Sequence, residues 1–328
     1  MTSIRAVGKT SSAEYEISIF RITPQLVLIT PSEGTVGTIV TLRGVGYQAS
    51  ELVQIDFGKG ISITTVSAET KGSWTITFTI DTQPYGATTI KATGVTSQGF
   101  AENLVFNIKP AIILFIPKQG TVGSLVTIAG NGFSASLSIR IGFGTTPTLT
   151  LTSTYAEGSF STTWTVNTQP YGTTTVEVYD FASGERRYAT FTILPNIIEL
   201  TPIQGSVGTI VTIAGNGFGT GSVVQIEFDN EYRTIATVIA YGSFSTTFTV
   251  PIQVYGPHIA MAIDTVHNVF ATRSFSIIPN LFLITPNKGT VGTKVVVKEP
   301  MADTETVVIV FVLPNSILTC LLTLNPDP

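Results

Sequence analysis

The sequence predicts an all-β protein built as a tandem array of β-sandwiches, and three observations carry that prediction. One motif recurs as near-copies at Val27–Tyr47 (VLITPSEGTVGTIVTLRGVGY), Ile113–Phe133 and Ile198–Phe218, and a fourth copy opens at Phe282 and loses the pattern after Val297. The Gly-Thr/Ser-Val-Gly cores begin at Gly34, Gly120, Gly205 and Gly289, a period of 84–86 residues that marks an array of small units. Apolar and hydroxyl residues alternate with period two, as in Trp74, Ile76, Phe78 and Ile80 against Thr75, Thr77 and Thr79. A sheet with one face in a core and the other in water has that pattern. The 30 Gly and 17 Pro punctuate short runs rich in Thr, Val, Ile and Phe, and no helical period interrupts them.

Each unit opens with an apolar run, Leu26–Ile29 in the first, Ile112–Ile116 in the second and Ile197–Leu200 in the third. A proline follows (Pro31, Pro117, Pro202), and because proline cannot donate to a ladder, the first strand is expected to end there. The second strand buries Val40 and Leu42, Val126 and Ile128, or Val211 and Ile213. A Gly-x-Gly turn then leads to an aromatic core plug: Tyr47, Phe133 or Phe218. The third strand alternates Val53/Ile55/Phe57, Ile139/Ile141/Phe143 and Val224/Ile226/Phe228. Gly72-Ser73, Gly158-Ser159 and Gly242-Ser243 open the strands with the clearest alternation, in which Trp74 and Trp164 fall on the inward side. The turns Gln83-Pro84-Tyr85-Gly86, Gln169–Gly172 and Gln253–Gly256 lead into two last strands, which carry Phe106/Ile108, Phe191/Ile193 and Phe275/Ile277. About seven strands per unit result, with turns at sandwich spacing.

Ile4–Pro24 aligns without gaps to Ile90–Pro110. Residues 1–24 are therefore expected to be the C-terminal fragment of a preceding repeat. Residues 25–110, 111–195 and 196–279 are three complete repeats, and 280–328 is an incomplete or degraded fourth. After Val297, Lys298-Glu299-Pro300 stands where the Gly-x-Gly-aromatic belongs, which suggests a degraded strand pair or out-of-register coding. Val307–Leu324 is apolar but short for a membrane span and is broken by Pro314, Asn315 and Ser316, so no span is expected.

With a net charge of −4 spread along the chain and no basic stripe, nucleic acid is not an expected partner. The single Cys320 lies outside the repeats, so they contain no disulfide. The N-terminus lacks the apolar core of a signal peptide.

The run of proline, Gly-rich turn, Gly-Thr-x-Val-Thr-Ile-x-Gly-x-Gly-aromatic and late Tyr-Gly resembles the IPT/TIG group of immunoglobulin-like domains, as in tandem repeats of bacterial and archaeal surface proteins. Gly37–Tyr47, Gly123–Phe133 and Gly208–Phe218 carry the resemblance, which covers residues 25–297. It implies an early-set Ig-like fold without the buried disulfide, and no single activity.

Chemistry requires converging polar groups, and the sequence offers few. His258 and His267, near Asp264, occur only in the third repeat and are expected at the surface or at strand ends. Asp180 and Asp264 share a repeat position where the first repeat has Gly94; they are expected to be solvated loop residues, with a loop calcium site as the alternative. Tyr85, Tyr171 and Tyr255 are the recurring ligand-binding candidates: an exposed loop tyrosine stacks on a sugar ring, whereas a corner tyrosine packs between sheets. No catalytic residue, metal site or cofactor is expected. The chain is thus expected to be a non-enzymatic spacer, a rod of sandwiches at an extracellular cell surface or in a surface-layer-like wall, or an adhesive segment. Carbohydrate-binding repeats of a larger secreted enzyme are the alternative. Expected partners are glycans, surface proteins or a further copy of the chain.

Overall fold

The computed structural model describes residues 2–7, 9–11, 14–279, 283–286, 288, 290 and 296–298. Cys320 and the Val307–Leu324 stretch lie outside them. Apart from the single 3-10 turn Ala240–Gly242, every regular element described is a strand. None of the described residues forms a helix long and apolar enough to cross a membrane.

By mutual contacts the chain falls into two compact units. The first comprises Met1–Lys118, Leu125–Trp164 and Thr175–Thr190, and the second comprises Gln119–Ser124, Thr165–Thr174 and Phe191–Pro328.

In the first unit, β1 (Thr2–Val7) and β2 (Glu14–Phe20) pair antiparallel. Eight strands then build the first sandwich: β3 (Gln25–Thr30), β4 (Glu33–Gly34), β5 (Ile39–Val45), β6 (Leu52–Phe57), β7 (Gly60–Ser67), β8 (Trp74–Thr79), β9 (Gly86–Gly94) and β10 (Phe100–Ile108). One sheet has the order β3-β5-β8 and the other β4-β10-β9-β6-β7. The expected alternation is the core: Val40, Leu42, Val53, Ile55, Phe57, Trp74, Ile80, Phe106 and Ile108 are all buried and Ile76 is half-buried, while Thr75, Thr77 and Thr79 are exposed. Full burial of a side chain of this size contributes roughly 1.5–3 kcal/mol, so the pattern accounts for the fold.

The opening strand does more than end at its proline. After the cis Thr30-Pro31 bond the chain crosses to the opposite sheet, where β4 pairs parallel to β10 (Asn107↔Glu33, Ile108↔Gly34). Each repeat therefore holds eight strands rather than seven, one of them only two residues long.

The Gly-x-Gly motif is also different from a simple turn. Gly44 lies within β5, paired with Trp74, and a Cβ on it would fall 2.3 Å from the indole. Gly46 has φ +83° and sits against the Thr23 carbonyl, a conformation and a clearance that only glycine meets. The first glycine seats the core aromatic and the second turns the chain.

The same order recurs. The sheets β11-β13-β16 and β12-β18-β17-β14-β15 comprise β11 (Ala111–Ile116), β12 (Gln119–Gly120), β13 (Leu125–Asn131), β14 (Ser138–Phe143), β15 (Thr146–Ser153), β16 (Phe160–Thr165), β17 (Gly172–Asp180) and β18 (Arg186–Ile193). In the second unit, β19-β21-β24 and β20-β26-β25-β22-β23 are built from β19 (Asn196–Thr201), β20 (Gln204–Gly205), β21 (Ile210–Asn216), β22 (Val223–Phe228), β23 (Glu231–Thr237), β24 (Phe244–Thr249), β25 (Gly256–Asp264) and β26 (Val269–Ile277). The plugs are buried as expected, with Phe133 edge-on to Phe160 and Phe218 edge-on to Phe244. A last short pair joins β27 (Leu283–Thr285) to β28 (Val296–Lys298).

Candidate functional site

The recurring aspartates are not solvated. Asp180 and Asp264, at the ends of β17 and β25, are both 0% exposed. Asp264 Oδ2 accepts from the Gly219 N–H at 2.8 Å, and Oδ1 accepts from the N–H groups of Val266 and His267 at 3.0 and 3.1 Å. Asp180 does the same with the N–H groups of Ser134, Ala182 and Ser183. Each carboxylate ties the loop after the aromatic plug to the loop between the last two strands. Burial pushes both carboxyls up, but the N–H donors together outweigh it and hold them below the ordinary carboxylate value. Their oxygens are occupied by backbone donors, which accounts for their place in the repeat without a calcium ion.

The first repeat solves the same problem with a different residue. Glu51, buried just before β6, accepts from the Gln48 N–H at 2.6 Å and from the Ser97 N–H and hydroxyl at 3.0 Å. A Cβ on Gly94 would lie 2.6 Å from both Glu51 carboxylate oxygens. The glutamate head thus fills the space that an aspartate side chain at position 94 would take. The sequence contained one trace of this, the glycine where the other repeats have Asp.

His258 lies near the start of β25, as a strand-end histidine would, but not at the surface. It is buried, its Nδ1 pairs with Asp229, its Nε2 lies 2.7 Å from the Val254 carbonyl, and its ring stacks on Phe228. His267 is part-exposed and is held by Asp264 and Ser222. The two histidines serve different loops and do not form one pair. Among the described residues, no cluster of three or more His, Cys, Asp or Glu side chains is arranged to hold a metal.

The candidate tyrosines divide into two kinds. Within the first unit, the Tyr85 N–H donates to the carbonyl of Phe133 at 3.0 Å, and its hydroxyl lies 3.4 Å from Glu185 Oε1. Within the second unit, the Tyr171 N–H donates to the Phe218 carbonyl at 3.1 Å, and its ring stands 5.4 Å from His267. In both places the preceding proline rests on a glycine: a Cβ on Gly158 would fall 2.7 Å from the Pro84 Cα, and one on Gly242 would fall 2.6 Å from the Pro170 Cα. Both rings are half-buried. Tyr255 is 69% exposed. Trp74 and Trp164 pack in the cores, as their alternation predicts.

One exposed cluster belongs to the second repeat alone. On the outer face of β14, β17 and β18, Glu177 pairs with Arg140 and Arg186, and both guanidiniums lie over the Tyr179 ring, at 5.0 and 4.3 Å. Tyr179 meets Phe181 edge-on, and the Tyr188 hydroxyl lies 3.4 Å from Glu177. Phe181 and Tyr188 are largely exposed. At the positions of Arg140, Glu177 and Tyr179, the first repeat has Gln54, Lys91 and Thr93, and the third has Gln225, Met261 and Ile263.

Residues 195–271 match the family model of the IPT/TIG domain. That stretch is most of the third repeat, which is similar to an IPT/TIG domain. The first two repeats share its motif and strand order, as the sequence resemblance implies. No curated protein sequence matches the chain. Solved structures similar to it include a protein crystallised with a xylogluco-oligosaccharide, at 14% identity over 82% of this chain and 64% of that one, with a TM-score of 0.32. Invasin, a bacterial integrin-binding protein, gives 14%, 85%, 68% and 0.28 for the same measures. SGBP-B of the Bacteroides ovatus mixed-linkage glucan utilization locus, in complex with a mixed-linkage heptasaccharide, gives 11%, 81%, 74% and 0.24. The chain spans under two thirds of the first of these structures.

Proposed function

We propose that this chain is a non-enzymatic spacer or adhesive segment of an extracellular cell-surface protein, with residues 25–110, 111–195 and 196–279 as its modules. The observation that carries this reading is the use made of one recurring loop. In two successive repeats the Pro-Tyr turn is spent on the plug carbonyl of the repeat that follows, not left open to a ligand. A loop so used links neighbours along the chain, which is what a spacer needs. Antibodies raised against the chain are expected to label intact cells of the source organism; labelling only after lysis would refute a surface location.

A second reading, contact with a glycan, is supported by the Tyr179–Phe181–Tyr188 cluster and its two arginines. Exposed aromatic faces beside guanidiniums suit sugar rings. On a glycan array, binding lost in Tyr188→Ala but kept in Tyr171→Ala would favour it.

A further inference from the structure

The inner face of the larger sheet hardly changes from repeat to repeat, as Ile55, Ile141 and Ile226 show, whereas its outer face does. At the position of Arg186 the first repeat has Phe100 and the third has Phe270. The second repeat therefore carries its own chemistry on this face. All of it lies within the first unit and is remote in sequence from both ends of the chain.

Arg186 is the exposed arm of the cluster. Its Nη1 pairs with Glu177 Oε1 and its Cζ lies 4.3 Å from the centre of the Tyr179 ring, so the guanidinium is fixed at two points. Arg140 Nη2 holds the other Glu177 oxygen at 2.6 Å, which fixes the carboxylate in turn. Among the described residues, neither Nε nor Nη2 of Arg186 has a hydrogen-bond partner. These two groups form the side-on edge of the guanidinium, which meets a planar carboxylate with two parallel bonds. Two guanidiniums share one carboxylate, so the cluster keeps one positive charge.

Exposed rings stand on both sides of that edge. Tyr188 is two residues along β18 from Arg186, so the two side chains share a face about 7 Å apart. Its hydroxyl lies 3.4 Å from Glu177 Oε1, which ties the ring down across the sheet, yet the residue stays 60% exposed. Glu177, Tyr179 and Phe181 follow one another at alternate positions. Arg186 over Tyr179 is thus flanked by Tyr188 beside Glu177 and by Phe181, which is 52% exposed. The apolar face of a pyranose packs on such a ring. A carboxylate at the edge of that sugar falls within the span between Tyr188 and Arg186.

We propose that Arg186, Tyr188 and Phe181 bind a polysaccharide containing uronic-acid residues. A sugar ring packs on an exposed aromatic, and its carboxylate accepts from Nε and Nη2 of Arg186. Glu177 and Arg140 hold that guanidinium in place. The inference rests on the glycan reading given second above and adds to it the charge of the sugar. Residues 111–195 carry as many basic as acidic residues, so the repeat as a whole does not repel an anionic chain.

The test is an array of polygalacturonate, alginate and hyaluronan, each beside its carboxyl-reduced form, with dextran sulfate as a control, probed with the full chain. At least one native uronate polysaccharide is expected to bind, more weakly as salt is added. Carboxyl reduction should weaken that binding at least about tenfold, and so should Arg186→Gln. The variant should bind native and reduced forms alike, whereas Tyr188→Ala should weaken both. Both residues are exposed, so the fold should tolerate the changes, and matching thermal melts would confirm this. Equal binding of native and reduced forms, a preference for the native form that survives in Arg186→Gln, or tighter binding of dextran sulfate than of any uronate overturns the uronate assignment and leaves the glycan reading in place. Binding to none of the polysaccharides overturns both.

Discussion

The Tyr171 backbone N–H donates to the Phe218 carbonyl at 3.1 Å, and the side chain of the same residue lays its ring 5.4 Å from His267. Aromatic pairs of this kind are worth about 0.5–1.5 kcal/mol beyond their buried area. A double-mutant cycle of Tyr171→Ala and His267→Ala should therefore give a coupling of that size in chemical unfolding. A coupling of zero would mean that the ring is a bystander.

The exchange between Glu51 and Gly94 predicts a reciprocal swap. Gly94→Asp alone places a second carboxylate against Glu51 and should destabilise the first sandwich. Glu51→Leu alone strands the Gln48 and Ser97 N–H donors, at a cost of about 1–3 kcal/mol each if they stay buried. The double variant reproduces the pairing of Leu137 with Asp180 and should recover most of the loss. Urea midpoints of the four proteins decide it; a double variant as unstable as the sum of the singles would contradict the shared role.

Acid sensitivity follows from the same three carboxyls. For Glu51, as for the two aspartates, burial raises the value but is outweighed by the N–H donors, so each titrates below its ordinary value when folded. A depressed folded value contributes stability that is complete above the unfolded value and is lost as pH falls through the folded one. Stability should be flat near neutrality and decline below about pH 5. Asp180→Asn should flatten part of that decline; an unchanged acid limb would show that the carboxylate is not its source.

Gly44→Ala tests the seat of the core indole. The added methyl meets Trp74 at 2.3 Å and cannot be accommodated without moving the ring. Overpacking of this kind costs about 1–3 kcal/mol. Gly37→Ala is the contrasting case: its φ of +90° strains the backbone, although a Cβ there meets no neighbour.

The sandwich interior was legible in the sequence because period-two alternation determines which residues face inward. Val40, Leu42, Trp74 and Phe106 all lie where it puts them. The two roles within Gly-x-Gly were not legible, because a glycine that makes room for an indole and one that turns the chain look the same in sequence. Glu51 was missed because the loop it serves lies more than forty residues along the chain from it. His258 was missed because its partner, Asp229, appears in only one repeat. The Pro-Tyr turns stood out by recurrence, yet their partners, the carbonyls of Phe133 and Phe218, are backbone groups that no side-chain pattern reports.

Backbone amide exchange at the three turn tyrosines tests the account most directly. The N–H groups of Tyr85 and Tyr171 should exchange slowly, held by the plug carbonyls of the next repeat, and that of Tyr255 should exchange at the rate of an open loop. Fast exchange at Tyr85 and Tyr171, matching that of Tyr255, would contradict the linking role of the turn.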